Sequence, residues 1–209
     1  MEIVLSEDPE AIERATDVLG RGDVIAIPTE TVYGVAALPR HAAVERLIAA
    51  KQRSSEKGIQ LLIDSIKQAH QICVLTPAAE KLARAFWPGG LTLVLDRLPN
   101  SDLPLLLGGG RATLGLRLPD HPIPRELARI LGPLAASSAN VTGLPPATTA
   151  EMVIESLSDV VSLVVDDGPV RGGVSSSVVD CSGSAALSPV VLREGAIQTS
   201  QIFDALGRG

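Results

Sequence analysis

One short apolar run does most to limit what this chain can become. Val24-Ile25-Ala26-Ile27 carries no polar residue and ends at Pro28. A strand with one wet face alternates, so an unbroken apolar run reads as a strand buried on both faces of a sheet. Proline lacks the N–H that would extend the ladder, so the strand stops there. Polar heads follow at once on Thr29, Glu30 and Thr31, then Val32-Tyr33-Gly34-Val35 and a helical segment, and then the cations Lys51, Arg53 and Lys57. Two readings stand: a polar turn followed by a solvated charge run, or a binding site at a strand end. Ser137-Ser138-Ala139-Asn140, far along the chain, bears on the choice.

Composition narrows the classes. With 209 residues, 45% of them hydrophobic, the chain can form one large domain with a sizeable core. Aromatics are only 2%, so that core must come from Val, Leu, Ile and Ala. Cys73 and Cys181 are too few for a disulfide framework, which points to a reduced, cytosolic setting. The acidic start, Met1 to Asp8, lacks the basic region and apolar stretch of a signal peptide. No apolar run reaches the roughly 20 residues a bilayer needs. A net charge of −6 argues against a surface built mainly to grip nucleic acid, while leaving room for a local basic cleft. No repeat, low-complexity tract or linker divides residues 1–209, which read as a single domain.

Residues 3–5 read as a strand and 9–19 as a helix, with Ile12, Ala15, Val18 and Leu19 at helical spacing before Gly20 and Gly22. A second helix at 41–51 brings Lys51 and Arg53 to its C-terminal end, where cations suit the dipole. A buried strand at 59–63 and a short helix at 65–70 follow. Thr76-Pro77 supplies an N-cap and first-turn proline for a helix through Phe86, which Trp87-Pro88-Gly89-Gly90 breaks. Strands are expected at 91–95, 113–118, 134–136, 163–165, 177–179 and 190–192, and helices at 122–131, 149–157 and 199–206. Residues 100–110 read as a loop whose Gly-Gly-Gly run supplies flexibility rather than a phosphate cradle. Strands and helices mix without strict alternation. That predicts an α/β or α+β domain around one open, twisted, mixed sheet flanked by helices.

Several familiar sites are missing. There is no G-x-x-x-x-G-K-[ST] loop, no G-x-G-x-x-G after a strand and no G-x-S-x-G elbow. His41, His70 and His121 are scattered without ligand spacing, so no metal site is expected. What remains is a set of polar groups at strand ends. Arg117 and Arg193 lie within or beside apolar runs, where a guanidinium must meet an anion, either a structural carboxylate or a ligand. Ser138 and Asn140 fit a capped turn as well as a site, and Ser175 to Ser177 fit a plain polar loop. His121 reads as a packing or hydrogen-bonding residue, and Asp166-Asp167-Gly168 as a tight turn rather than a metal site. Converging cations and hydroxyls without a nucleophile suggest a polyanionic ligand and electrostatic catalysis.

Taken in order, these segments form a pattern: Pro28-Thr29-Glu30-Thr31-Val32-Tyr33-Gly34-Val35 between strand and helix; Lys51-x-Arg53 with Lys57-Gly58; Trp87-Pro88-Gly89 with Leu91-Thr92; Arg117-x-Pro119-x-His121-Pro122; Ser138-Ala139-Asn140. The set resembles the YrdC-like threonylcarbamoyladenylate synthases in order and spacing, from about Gly22 to Gly195. The resemblance implies a YrdC-like fold with a concave, basic cleft, in the short form with one domain. It implies condensation of L-threonine, bicarbonate or carbon dioxide, and ATP to threonylcarbamoyladenylate and pyrophosphate, with Mg²⁺ carried by the nucleotide. Separate proteins would then use the product to modify tRNA, direct tRNA binding being weak or absent.

By matching motif, Thr31 would contact threonine and Arg117 would pair its carboxylate, with the backbone near Ala136 and the Ser176 hydroxyl completing that pocket. Arg53, Lys57, Thr113, Ser138, Asn140 and Arg193 would line the ATP site, and Lys51 and Arg53 would serve catalysis beside the phosphates. This chain departs from the family at Ser54, usually proline, and at Leu62, where some members carry histidine. Two other classes compete: a carbamoyl-transfer module, disfavoured by the absence of cysteine pairs, and a non-catalytic RNA-binding protein, disfavoured by acidic charge and scarce aromatics.

Overall fold

A computed structural model describes residues 1–51, 54 and 56–207. Seven α-helices and ten strands follow one another among them. The strands are β1 (Glu2–Leu5), β2 (Val24–Ile27), β3 (Gly34–Ala37), β4 (Gln60–Leu62), β5 (Leu91–Asp96), β6 (Thr113–Arg117), β7 (Leu134–Ser138), β8 (Val161–Asp166), β9 (Ser177–Asp180) and β10 (Val190–Arg193). The helices are α1 (Ala11–Gly20), α2 (His41–Ala50), α3 (Ile66–Ile72), α4 (Pro77–Phe86), α5 (Pro122–Leu131), α6 (Ala150–Leu157) and α7 (Thr199–Leu206). All ten strands form one mixed sheet in the order β1-β8-β2-β3-β7-β4-β6-β5-β9-β10. The expected mixed α/β sheet is therefore present.

Strand alternation divides the apolar residues between two cores. In β2, Ile25 and Ile27 join α1 and α5 on one face, while Val24 and Ala26 join α2, α4 and α6 on the other. The expectation that this strand is buried on both faces holds along its whole length. Helices α1 and α5 pack on each other and cover the face only as far as β4, through Leu62. Across β5 and β6 the leucines Leu91, Leu93, Leu95, Leu114 and Leu116 all turn to the opposite core. Their alternates, Thr92, Val94, Thr113, Gly115 and Arg117, are left on the uncovered half of the first face. That half is the floor of a cleft.

Two expectations need correction. The segment after Pro28 leads into β3, which pairs antiparallel with β2 and with β7, so the polar heads sit in a hairpin loop rather than between strand and helix. The Gly-Gly-Gly run is not a loose tether. A Cβ at Gly108 would lie 2.2 Å from the Thr113 carbonyl, and one at Gly109 would lie 2.2 Å from the Glu56 carbonyl. Only glycines let the turn Leu105–Gly108 and its successor press against the segment carrying Lys57. Thr76 caps α4 as expected, Thr149 caps α6, and His121 caps α5 with its ring, Nδ1 accepting from the Ile123 N–H.

Candidate active site

The hairpin loop after β2 folds on its own hydroxyls. Thr29 Oγ1 accepts from the N–H groups of Thr31 and Val32 at 3.2 Å and donates to the Val32 carbonyl at 2.6 Å. Its single proton being spent there, the 2.9 Å contact with Thr31 must be donated by the Thr31 hydroxyl. Thr31 Oγ1 in turn accepts from Arg117 Nη2 at 2.8 Å. The Arg117 guanidinium is buried and also donates to Glu30 Oε1 at 2.6 Å and, through Nε, to the Gly89 carbonyl at 3.1 Å. The anion that a strand arginine must meet is thus a structural carboxylate, within a wall that still lines the cleft.

Lys51 ends α2 and is buried, 2% exposed. Its ammonium donates to the Ser138 carbonyl, to Asn140 O at 2.8 Å, to Asn140 Oδ1 at 3.1 Å and to Ser138 Oγ at 3.3 Å. Ser138 gives its proton to Asn140 Oδ1 at 2.6 Å, and Asn140 Nδ2 donates to the carbonyls of Val141 and Leu144. The capped-turn reading of Ser138 and Asn140 is realised. Ser138 also faces the cleft, while Lys51 and Asn140 stand behind it. Arg53, the other half of the paired cation motif, lies outside the described residues.

The opposite wall is another chain of directed bonds. Thr92 donates to Gln60 Oε1 at 2.7 Å, so its 2.8 Å contact with Ser176 is donated by the serine. Arg193 donates to the Ser176 carbonyl through Nε at 3.1 Å and Nη2 at 2.7 Å. Ala136 lies in the ladder between Ala36 and Gln60 and borders the cleft floor.

The cleft encloses about 910 Å³. Lys57, Thr113, Arg117, Ala136, Ser138, Ser176 and Arg193 all line it, although they come from widely separated parts of the chain. Thr31 reaches the wall through Arg117. Sequence reasoning missed Gln60, Arg111 and Asp180 and gave no role to Thr92, although it lies in the motif; all four also line the cleft. Thr92 and Asp180 alternate with buried Leu93 and Val179, a period-two signal that could have marked them. Arg111 carries no such signal.

Electrostatics separates the cleft from the groups around it. Burial pushes both cysteine thiols up to about 12, which removes them as thiolate nucleophiles. Tyr33 also rises to about 12, chiefly by burial, and serves as a strut from the residue before β3 to the turn after β8: its hydroxyl donates to the Gly168 carbonyl at 2.8 Å and accepts from the Asp167 N–H at 3.0 Å. At Asp167 burial raises the carboxyl, but hydrogen bonds from Ser6 and His121 outweigh it and leave the group below its ordinary range. Because His121 Nδ1 accepts from Ile123, its Nε2 is the atom that carries the proton to Asp167 at 3.2 Å. Asp166-Asp167-Gly168 is thus a hydrogen-bonded turn. Among the described residues no cluster of three or more His, Cys, Asp or Glu could hold a metal, and no helix is long and apolar enough to cross a membrane.

Comparison with known proteins shows the family. Residues 17–195 match the Sua5/YciO/YrdC family model, described as "Telomere recombination". The threonylcarbamoyl-AMP synthase of Bacillus subtilis is 38% identical over 206 residues, covering 97% of this chain and 58% of that protein. The protein of the same name from Photobacterium profundum is 33% identical over 189 residues, covering 88% of this chain and 98% of its own. The crystal structure of Pyrococcus abyssi Sua5 complexed with L-threonine superposes with a TM-score of 0.89 at 34% identity, covering 99% of this chain and 61% of that one. The chain therefore spans about three fifths of the longer relatives and nearly the whole of a shorter one.

Proposed function

The chain belongs to the Sua5/YciO/YrdC family, and from that membership together with the cleft we propose that it is an L-threonylcarbamoyl-AMP synthase. The observation that carries the proposal is the convergence of Lys57, Arg117, Ser138, Ser176 and Arg193 on a stretch of sheet that α1 and α5 leave uncovered. The reaction it supports joins L-threonine, bicarbonate or carbon dioxide, and ATP. Threonine's amine takes up carbon dioxide with loss of a proton, or bicarbonate with loss of water, to become a carbamate; a carbamate oxygen attacks the α-phosphorus, and the bond from that phosphorus to the α,β-bridging oxygen breaks to release pyrophosphate.

Each group has a chemical task in this proposal. Arg117 pairs the threonine carboxylate. The Thr31 hydroxyl, its proton committed to Thr29 and one lone pair to Arg117, has one lone pair left for the amine N–H. Ser176 and the floor at Ala136 border the same end. Lys57, Arg193 and the undescribed Arg53 meet the triphosphate, with Thr113 beside it, and Mg²⁺ arrives on the nucleotide. Lys51 and Asn140 act at one remove, by holding the turn that presents Ser138. Four charges crowd the triphosphate, so neutralisation and alignment are what catalysis requires. The product would pass to separate tRNA-modifying proteins, in the cytoplasm.

The test is pyrophosphate release together with mass detection of the adenylate. Release that needs threonine, bicarbonate and ATP together supports the assignment, and release without threonine overturns it.

A further inference from the structure

Among the described cations lining the cleft, only Arg117 is buried. A buried guanidinium on a flexible stem recognises a carboxylate well only if its plane is fixed beforehand. Two of its partners, the Gly89 carbonyl and the Thr31 hydroxyl, are neutral. The third is Glu30, whose Oε1 takes the 2.6 Å bond from Nη2 while Oε2 accepts from the Asp120 N–H at 3.1 Å. Glu30 is thereby strung between the hairpin loop and the segment that follows β6. It does not itself line the cleft.

We infer that Glu30 is a positioning residue that aims Arg117 at the α-carboxylate of the amino-acid substrate and so sets the affinity for threonine. The inference rests on the proposed synthase activity. Two effects of Glu30 oppose each other. Its charge weakens the pull of Arg117 on a second carboxylate, and its hydrogen bonds keep the guanidinium in one plane. With Nε on Gly89 and both Nη2 protons on Glu30 and Thr31, Nη1 is left to meet the substrate carboxylate, and the direction of its N–H groups depends on these bonds more than on bare charge. Alignment outweighs screening here.

The experiment compares wild type, Glu30→Ala and Glu30→Gln by threonine KM, ATP KM, kcat, calorimetric threonine binding and thermal melting. Expected for Glu30→Ala is a threonine KM and Kd raised about tenfold or more, with ATP KM changed by less than about twofold. Glu30→Gln, which keeps the reach and an acceptor for Nη2 but gives up the one for the Asp120 N–H, should recover part of the loss. If both variants bind threonine more tightly, the charge dominates and the inference fails. A lowered melting temperature with threonine KM and Kd unchanged also overturns it, leaving Glu30 a merely structural residue. A wild type that neither binds threonine nor needs it for turnover removes the synthase reading and the inference together.

Discussion

The Lys51 ammonium donates to the Asn140 carbonyl at 2.8 Å, while the Lys51 carbonyl accepts from the Thr142 N–H at 3.1 Å. The end of α2 and the turn after β7 are therefore tied in both directions, and Lys51 is as much a part of the scaffold as of the chemistry. Lys51→Ala should cost about 2–4 kcal/mol, from a cavity and stranded carbonyl oxygens, and lower the melting temperature by roughly 5–15 °C. Turnover should fall by about 100-fold or more, because the turn presenting Ser138 loosens. Differential scanning calorimetry beside steady-state kinetics checks both halves. A variant that melts like wild type would return Lys51 to a purely catalytic role.

Arg117→Ala should act differently. Removing one member of a buried ion pair strands the other, at about 3–5 kcal/mol. Arg117 is 3% exposed and Glu30 24%, so the lower end of that range applies. Threonine KM should rise about 100-fold with a smaller change in ATP KM, and an unaltered threonine KM would contradict the pairing.

Lys57 is exposed on the cleft wall, so Lys57→Ala should leave the melting temperature within about 1 °C of wild type. Its effect should fall on ATP, with KM raised about tenfold and that effect shrinking as salt rises. Equal effects on threonine and ATP would mean that the cation does not serve the triphosphate.

Stability should also respond to acid through Asp167. Its carboxyl titrates below the ordinary range in the folded protein, despite burial that raises it, because Ser6 and His121 hydrogen-bond to it. A depressed carboxyl contributes stability that is present above its unfolded value, about 3.9, and is lost as pH falls through the folded value. The melting-temperature gap between wild type and Asp167→Asn should therefore be open at pH 6 and close below about pH 4. With a side chain 42% exposed the gap should be modest, and a gap independent of pH would rule out the linkage.

Much of this was legible in the residues. The apolar run at 24–27, the Thr76-Pro77 start and the helix at 122–131 follow from patterns that tertiary structure did not override. Strand β3 was not legible, because Gly34-Val-Ala-Ala has no alternation and a single strong strand former, Val35; its partners β2 and β7 make it a strand. The family resemblance marked the motif residues of the wall. It did not reveal which of them turn inward: Lys51 and Asn140 face their own turn, and Arg117 is half-committed to Glu30. Donor and acceptor direction depends on three-dimensional neighbours, and no spacing rule supplies it. The glycine run misled for a related reason, since tight packing and looseness both select glycine.

The alternation in β5 and β6 has a consequence for how this protein can change. Leu93, Leu95, Leu114 and Leu116 lock two strands to the helices beneath, and the same lock indexes Thr92, Thr113 and Arg117 to their stations above. A single-residue insertion or deletion in either strand would swap oil for charge on both sides at once. Substrate preference can drift here by exchanging side chains in place, whereas sliding the frame is closed to it.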